Sequence, residues 1–508
     1  VATFALAQDN AFGQPLESQL RSCLLGLALC EEAGYERELR ETVYWVALLR
    51  YVGCTGHAHE IATVFGDDIA LLAQTLVLDT ADPAEVLGAM VAFAVAGHDP
   101  EEHEEIARSL REGAHPWAVN NFATGCEVAD MLVSRLELEP EVREALRFTY
   151  ERWNGNGYPT GATGDQIPLA MRVVHLSHDM EAIGRRSSPA QAVGAARDRR
   201  DRTYDPDLAD LFVAHGSGWL ERLDELDLWN AVLDREPEPH RILDGPELDA
   251  ALMVAADFID LKSPYRAGHS RRCAQLAADA AGRLGSAEDE IATLRRAALV
   301  HELGTTAVPN SILDKPGLLT RAEFDRIELH PMLTEQMLRR SPALDVLKPV
   351  AAAHHEKSDG SGYHKRLRAD AIGRDAGVLA ATEIYVALTT ERADRSAFSD
   401  EHAAAELRRL ASQGSLEHVA VDAVLTAAGH GEPSARTSRR AKHPGGLSGR
   451  EVEVLQLASK GLTTREIADR LYISPKTADH HIQHVYTKIG VSTRAAAALW
   501  AIQQGVLS

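Results

Sequence analysis

The stretch HELGTTAVPNSILDKPGLLTRAEFDRIELHP (301–331), followed by HHEKSDGSGYH (354–364), decides how the chain is read. His301 and Glu302 are adjacent, His330 lies 29 residues on, and His354 and His355 are adjacent 24 residues later. Imidazole and carboxylate together suit transition metals such as iron, manganese or zinc. One His pair would carry little weight, because a buried histidine is more often a hydrogen-bonded core residue than a ligand. Four His and a Glu grouped around Gly-rich turns point to a metal centre. By themselves they leave open a working catalytic site, a disabled one, or the sensing end of a regulator.

Working outward, the stretch has a counterpart upstream. ERWNGNGYP (151–159) matches EKSDGSGYH (356–364), 205 residues apart. LLRYVG (48–53) parallels LVHELG (299–304), and HLSHDMEAI (175–183) parallels AATEIYVAL (380–388). This pattern predicts an internal duplication of one helical domain. Arg50 to Gly157 spans 107 residues and His301 to Gly362 spans 61, so the first copy carries an insertion of 46 residues, expected within 60–110. The first copy has Arg50, Tyr51, Asn121, Thr149, Tyr150 and His178 where ligands are expected, and only the Gly157–Tyr158–Pro159 turn persists. His57 and His59 are expected as ordinary surface residues. The first copy is left with a structural, dimerising or ligand-pocket role.

Composition sets the frame. The 508 residues imply two to four domains. No apolar run reaches about 18 residues, so no membrane span is expected; VLGAMVAFAVAG (86–97) reads as a buried helix. No leader pattern opens the chain, and the five cysteines read as reduced core thiols, so a cytoplasmic location is expected. Residues 1–14 are weakly patterned and are expected to be flexible. Amphipathic helical patterning begins at Leu16. Residues 186–245 read as a charged helical connector ending in a Pro/Glu-rich break. The net charge is −22, yet residues 434–508 carry +6 and the rest −28. A basic tail on an acidic body suggests two functions in one chain.

That tail is punctuated for helices. Ser448 with Glu451 and Thr463 with Glu466 form capping boxes, Gly461 stops the first helix, and Ser474–Pro475 opens the third. A fourth helix is expected from Ser492. On the third helix Ala478, Ile482, Val485 and Ile489 form a buried stripe, while Lys476, Thr477, His480, His484 and Lys488 lie on the other side. A charge run is usually a solvated face, but a polar, Lys/His-rich face at a helix N-terminus also suits a major-groove reader. The motifs LSGREVEVL, GLTTREIADRL and ISPKTADHHIQHVYTKIGV resemble the DNA-binding domain of LuxR-type regulators. The resemblance implies sequence-specific binding of double-stranded DNA by a homodimer joined through the fourth helix. By position, Lys476, Thr477 and His480 face base edges. Thr463, Thr464, Arg465, His481 and Lys488 suit phosphates, and His484 shares the exposed face.

Residues 257–396 resemble the HD-GYP family of metal-dependent phosphohydrolases, through DFIDLKSPYRAGHS, AALVHELGTTAVPNSILDKPGLLTRAEF, HHEKSDGSGYH and ATEIYVALTTERADR. The resemblance implies an all-helical domain with two or three metals and hydrolysis of cyclic di-GMP. It assigns His301, Glu302, His330, His354, His355 and Glu383 as metal ligands. His269, Asp359, Gly362 and Tyr363 become candidate ligand-binding residues. Glu302 and Glu383 each stand where the family has Asp. Thr305 replaces a phosphate-binding Lys, His364 a Pro, and Tyr265 a Glu. No catalytic residue is assigned.

The expected architecture is all-α: two HD-type helical domains in tandem, then a four-helix LuxR-type helix-turn-helix domain. The expected divisions are a degenerate HD-GYP-like domain over 15–230, a metal-binding one over 246–430, a flexible linker over 431–446 and the DNA-binding domain over 447–508. The expected function is a transcription regulator whose body senses a divalent transition metal (iron or manganese, alternatively zinc) or a cyclic dinucleotide or other phosphate-bearing molecule. The alternative is a cyclic di-GMP phosphodiesterase with a regulatory DNA-binding domain.

Overall fold

A computed structural model describes residues 1–96, 98–430 and 443–507. The linker expected over 431–446 lies mostly outside the described residues. The chain divides into two compact units, Val1–Leu243 and Asp244–Ser508. Among the described residues both are built of helices, with only isolated β-bridges.

The first unit is organised around the helix Leu169–Arg186, buried almost continuously from Ala170 to Ile183. Helices Ser18–Glu32 and Arg37–Leu49 pack on it. At Gly26 an added Cβ would meet Ser177 Oγ and Val43 Cγ1 at 3.2 Å, so a small residue sets this crossing. Residues 1–14 are not flexible as expected. Ala2–Ala11 is a helix with Ala5, Leu6 and Ala7 fully buried. Gln8 donates from Nε2 to Leu48 O at 2.9 Å, and Asp9 accepts from Gln19 N at 3.0 Å. Long-range polar bonds hold what local patterning did not reveal. Residues 186–245 are likewise integral rather than a connector. Tyr204 is fully buried, and Arg202 and Thr203 hold Asp79.

Gly53 packs against Gly125 O so closely that a Cβ would lie 1.9 Å from it, as one at Gly304 would lie 2.0 Å from His330 O. Gly125, one helical turn beyond Asn121, thus meets Gly53 as His330 meets Gly304. The stretch between these two glycines carries helices Ala58–Phe65, Asp68–Thr75 and Pro83–Val95 and the start of His103–Val133. Pro83–Val95 has no buried residue, contrary to expectation. Met90, Phe93 and Ala94 only lean on a small core of Ile61, Phe65 and Leu71.

In the second unit, helix His269–Arg283 packs on Glu288–Val300 and Arg374–Thr389. The contacts are lined by alanines: Ala274, Ala277, Ala297, Ala298, Ala380 and Ala381 are buried. Small side chains let the helices approach closely, which draws their polar residues into one centre. The same unit ends in helices Gly449–Ser459, Thr464–Leu471, Pro475–Ile489 and Arg494–Gln503. Both capping boxes form, at Ser448/Glu451 and Thr463/Glu466. The fourth helix is capped by Thr493, one residue later than expected. Ala478, Ile482 and Val485 are buried, and Ile489 is half-buried.

Candidate metal centre and DNA-binding surface

The expected ligands sit at helix ends, in the turn that follows Lys348–Ala351 (His354 and His355) or inside a buried helix. His301 caps the C-terminus of Glu288–Val300, and Glu302 starts the tight turn Leu303–Ala307. His330 opens His330–Arg339, where Pro331 is tolerated in the first turn. Glu383 lies inside Arg374–Thr389. The structure brings all six together in two adjoining groups. One is His269, Cys273, His301 and Glu383; the other is Glu302, His330, His354 and His355. Within each group one donor atom per residue lies within 4.8 Å of every other. The His301 and His354 rings meet edge-on at 4.8 Å, so the groups share a wall.

Three of the histidines are held alike. Nδ1 of His301, His330 and His354 lies 2.7, 2.7 and 2.6 Å from the carbonyls of Ala298, Ile327 and Ala351. A carbonyl only accepts, so in the neutral ring Nδ1 carries the proton and Nε2 presents its lone pair inward. His330 Nε2 and His354 Nε2 face each other at 2.9 Å. Two lone pairs at that separation repel unless a proton or a cation lies between them. Glu302 Oε2 is buried there without a hydrogen-bond partner, 3.5 Å from His330 Nε2. The donor set therefore fits divalent transition metals.

Burial pushes His330 and His354 below the ordinary imidazole range, His355 to about 3 and His269 to about 4. These rings are neutral near pH 7, as ligation requires. Burial acts the same way on His301, but the Glu383 and Glu302 carboxylates with the Ala298 carbonyl together outweigh it and raise the net value. Burial would raise both carboxyls. Arg266, His330 and His301 together outweigh it at Glu302, and His269 with His301 at Glu383, so both are held well below the usual carboxylate range.

The candidate ligand-binding residues divide. His269 joins the first group, with Nε2 at 2.7 Å from Glu383 Oε2. Tyr363 stacks on His355 with ring centroids 4.7 Å apart. Gly362 lets that loop close, because a Cβ would come within 2.5 Å of His355 O. Asp359 instead builds the turn, accepting from Ser361 N at 2.8 Å and Ser415 Oγ at 2.7 Å. Thr305 Oγ1 donates to Glu302 O at 2.7 Å. The sequence reading missed Cys273, which lies one helical turn from His269, and the buried Arg266 paired with Glu302.

The first unit has a different polar centre. Arg50 reaches Val174 O at 3.1 Å and Asp179 at 3.7 Å, and Tyr51 Oη lies 3.2 Å from His178 Nε2. His57 is buried against Gly125, not exposed, and burial lowers it to about 4. The loops around Glu151 and Glu356 nevertheless share two equivalent backbone bonds. Glu151 accepts from Thr160 N and Ala162 N, and Glu356 from Lys365 N and Leu367 N.

On the C-terminal domain, Arg465, Lys476, Thr477, His480 and His484 are exposed, and Thr464 and His481 are half-exposed. The Thr463 hydroxyl is engaged by Glu466 at 2.8 Å. Lys488 is turned back to Glu451, with Nζ donating at 2.7 Å.

Residues 122–208 and 253–416 match the HD domain family, and residues 446–501 match the bacterial regulatory proteins of the luxR family. The chain is 29% identical to the 3'3'-cGAMP-specific phosphodiesterase 3 of Vibrio cholerae over 78% of its length and 87% of that protein. It is 34% identical to the cyclic di-GMP phosphodiesterase response regulator RpfG of Xanthomonas campestris, over 30% of this chain and 41% of that one. A crystal structure of a V. cholerae cyclic GMP-AMP specific phosphodiesterase superposes with a TM-score of 0.57 at 24% identity, covering 84% of this chain and 96% of that one, and shows the same fold. The chain thus joins an HD domain to a C-terminal helix-turn-helix domain of the LuxR type, and its relatives are HD-type phosphodiesterases of cyclic dinucleotides.

Proposed function

We propose that the protein is a DNA-binding transcription regulator whose HD body holds a pair of divalent transition-metal ions and, through them, a phosphate-bearing ligand of the cyclic-dinucleotide class. The observation that carries this reading is the pair of Nε2 atoms of His330 and His354 at 2.9 Å, beside the unpartnered Glu302 Oε2. His269, His301 and Glu383 would hold one ion, and Glu302, His330, His354 and His355 the other. Bound ions supply positive charge to neutralise phosphate oxygens. Tyr363 offers an aromatic face beside them. Lys476, Thr477 and His480 would read bases, with Thr464, Arg465 and His481 on phosphates.

The body is a duplicated HD domain whose first copy has lost its ligands. The matching loops 205 residues apart support this. The expected divisions at 15–230, 246–430 and 447–508 follow from it, and a homodimer through the fourth helix suits a LuxR-type domain. Metal and ligand would bias the body between two arrangements that present the DNA-binding domains differently. If stripping and reloading the metal leaves both DNA affinity and oligomeric state unchanged, the coupling is wrong.

The second reading is a metal-dependent phosphodiesterase. The V. cholerae relative that this chain covers over 87% of its length favours it. Thr305 speaks against fast turnover, since its hydroxyl is committed to Glu302 O and offers no charge to phosphate. A turnover assay with cyclic dinucleotides on metal-loaded protein separates the two. Metal-dependent hydrolysis lost in His354→Ala would establish the enzyme, whereas ligand-dependent DNA binding without turnover supports the regulator.

A further inference from the structure

Cys273 differs from the other thiols. All five are buried and free. Cys23 and Cys126 turn to the backbone carbonyls of Tyr44 and Arg147, and Cys54 to the Tyr150 hydroxyl. Cys273 Sγ alone among these faces a carboxylate and an imidazole, 3.5 Å from Glu383 Oε2 and 3.6 Å from His269 Nε2. Both partners also converge with His301, whose Nε2 lies 3.2 Å from Glu383 Oε2. A tetrahedral ion with sulfur at about 2.3 Å and nitrogen or oxygen at about 2.0–2.1 Å places those donors roughly 3.5 Å apart. The sulfur is therefore already at ligand spacing from two donors. The placement follows from the helix: Cys273 is one turn beyond His269 and on the same face.

We propose that Cys273 is a thiolate ligand of the ion held by His269, His301 and Glu383, so that this position takes a thiophilic divalent ion, zinc or ferrous iron, in preference to magnesium or calcium. The inference rests on the metal-site reading above. Ion binding displaces the thiol proton to solvent, and the sulfur donates its lone pair to the ion. Soft thiolate ligands favour zinc and iron over hard oxygen-seeking cations. The two groups then differ in kind, one sulfur-containing and the other built only of nitrogen and oxygen donors.

The test is titration of the metal-free full chain with Co(II). Visible ligand-field bands report that the centre binds, and a near-ultraviolet sulfur-to-cobalt charge-transfer band reports the thiolate. The expected result is both bands in the wild type and loss of the near-ultraviolet band in Cys273→Ser and Cys273→Val. Affinity at that position should fall at least about 10-fold, the low end of what outer-shell partners alone contribute. Visible bands without the charge-transfer band in the wild type would overturn the thiolate while leaving the metal centre standing. So would a charge-transfer band that survives both substitutions. Absence of all bands in the wild type would remove the centre itself. X-ray absorption of the zinc-loaded wild type keeps the question decidable if a variant fails to fold. A sulfur shell at about 2.3 Å supports the proposal, and a shell of nitrogen and oxygen alone refutes it.

Discussion

A buried imidazole can be a ligand or a liability, and His57 shows the second case. It is 2% exposed, lies against Gly125 and is lowered to about 4 by burial. Its folded-state value lies below the ordinary imidazole value, so between the two the unfolded chain binds the extra proton. Stability contributed by the neutral ring is complete above about pH 6.5 and is lost as pH falls towards 4. The loss for this ring alone is about 3 kcal/mol. Thermal melting of His57→Gln should lose less stability than the wild type between pH 7 and pH 4; parallel curves would refute the assignment. Nothing in the sequence marked His57 as buried, because the partner that covers it comes from a helix 68 residues away. The pairs His301–Glu302 and His354–His355 were legible because each is local to a short motif, whereas His330 and Glu383, 29 and 82 residues from His301, were placed by the family resemblance. Cys273 was not, since a single Cys with no Cys neighbour reads as core until the fold sets Glu383 beside it.

At the scale of elements, one glycine fixes the geometry of the centre. Gly304 meets His330 O so closely that a Cβ would lie 2.0 Å from backbone. Gly304→Ala should push His330–Arg339 away from the turn that carries Glu302, costing about 3–4 kcal/mol. Metal content by elemental analysis should fall with it; full occupancy would show that the contact is not needed. The C-terminal helices offer a second case. Lys476→Ala and His480→Ala should each cost about 1–3 kcal/mol on the preferred site and relax sequence preference. Arg465→Ala should weaken binding to all sequences alike and lower the salt slope by about 1. Equal effects of all three on random DNA would contradict base reading by this helix. These helices were the most legible part of the chain, because caps such as Ser448, Thr463 and Ser474 act within one turn. The helix Ala2–Ala11 was the least legible. Its hold on the fold is through Gln8 and Asp9, polar residues that no periodicity reports.

At the scale of the molecule, the two units are built on different charge logic. In the second, Glu302 and Glu383 stand among ring nitrogens that a pair of ions would join. Ligand binding stabilises only the state that binds, by about 2.7 kcal/mol at one hundred times Kd. Calorimetry of the full chain should therefore show a transition that rises on metal loading and falls with chelator, and a second that does not move. A single transition shifting as one would show the units to be energetically inseparable. In the first unit, Arg50 occupies the helix-end position that His301 holds in the second, with Asp179 3.7 Å away. Burial would raise Asp179, but His178 and Arg50 hold it well below the usual range. The cation that completes this centre is thus encoded in the gene and travels with the chain. If the second unit holds ions as proposed, only that half would answer to metal supply, while Arg50 stays with the first.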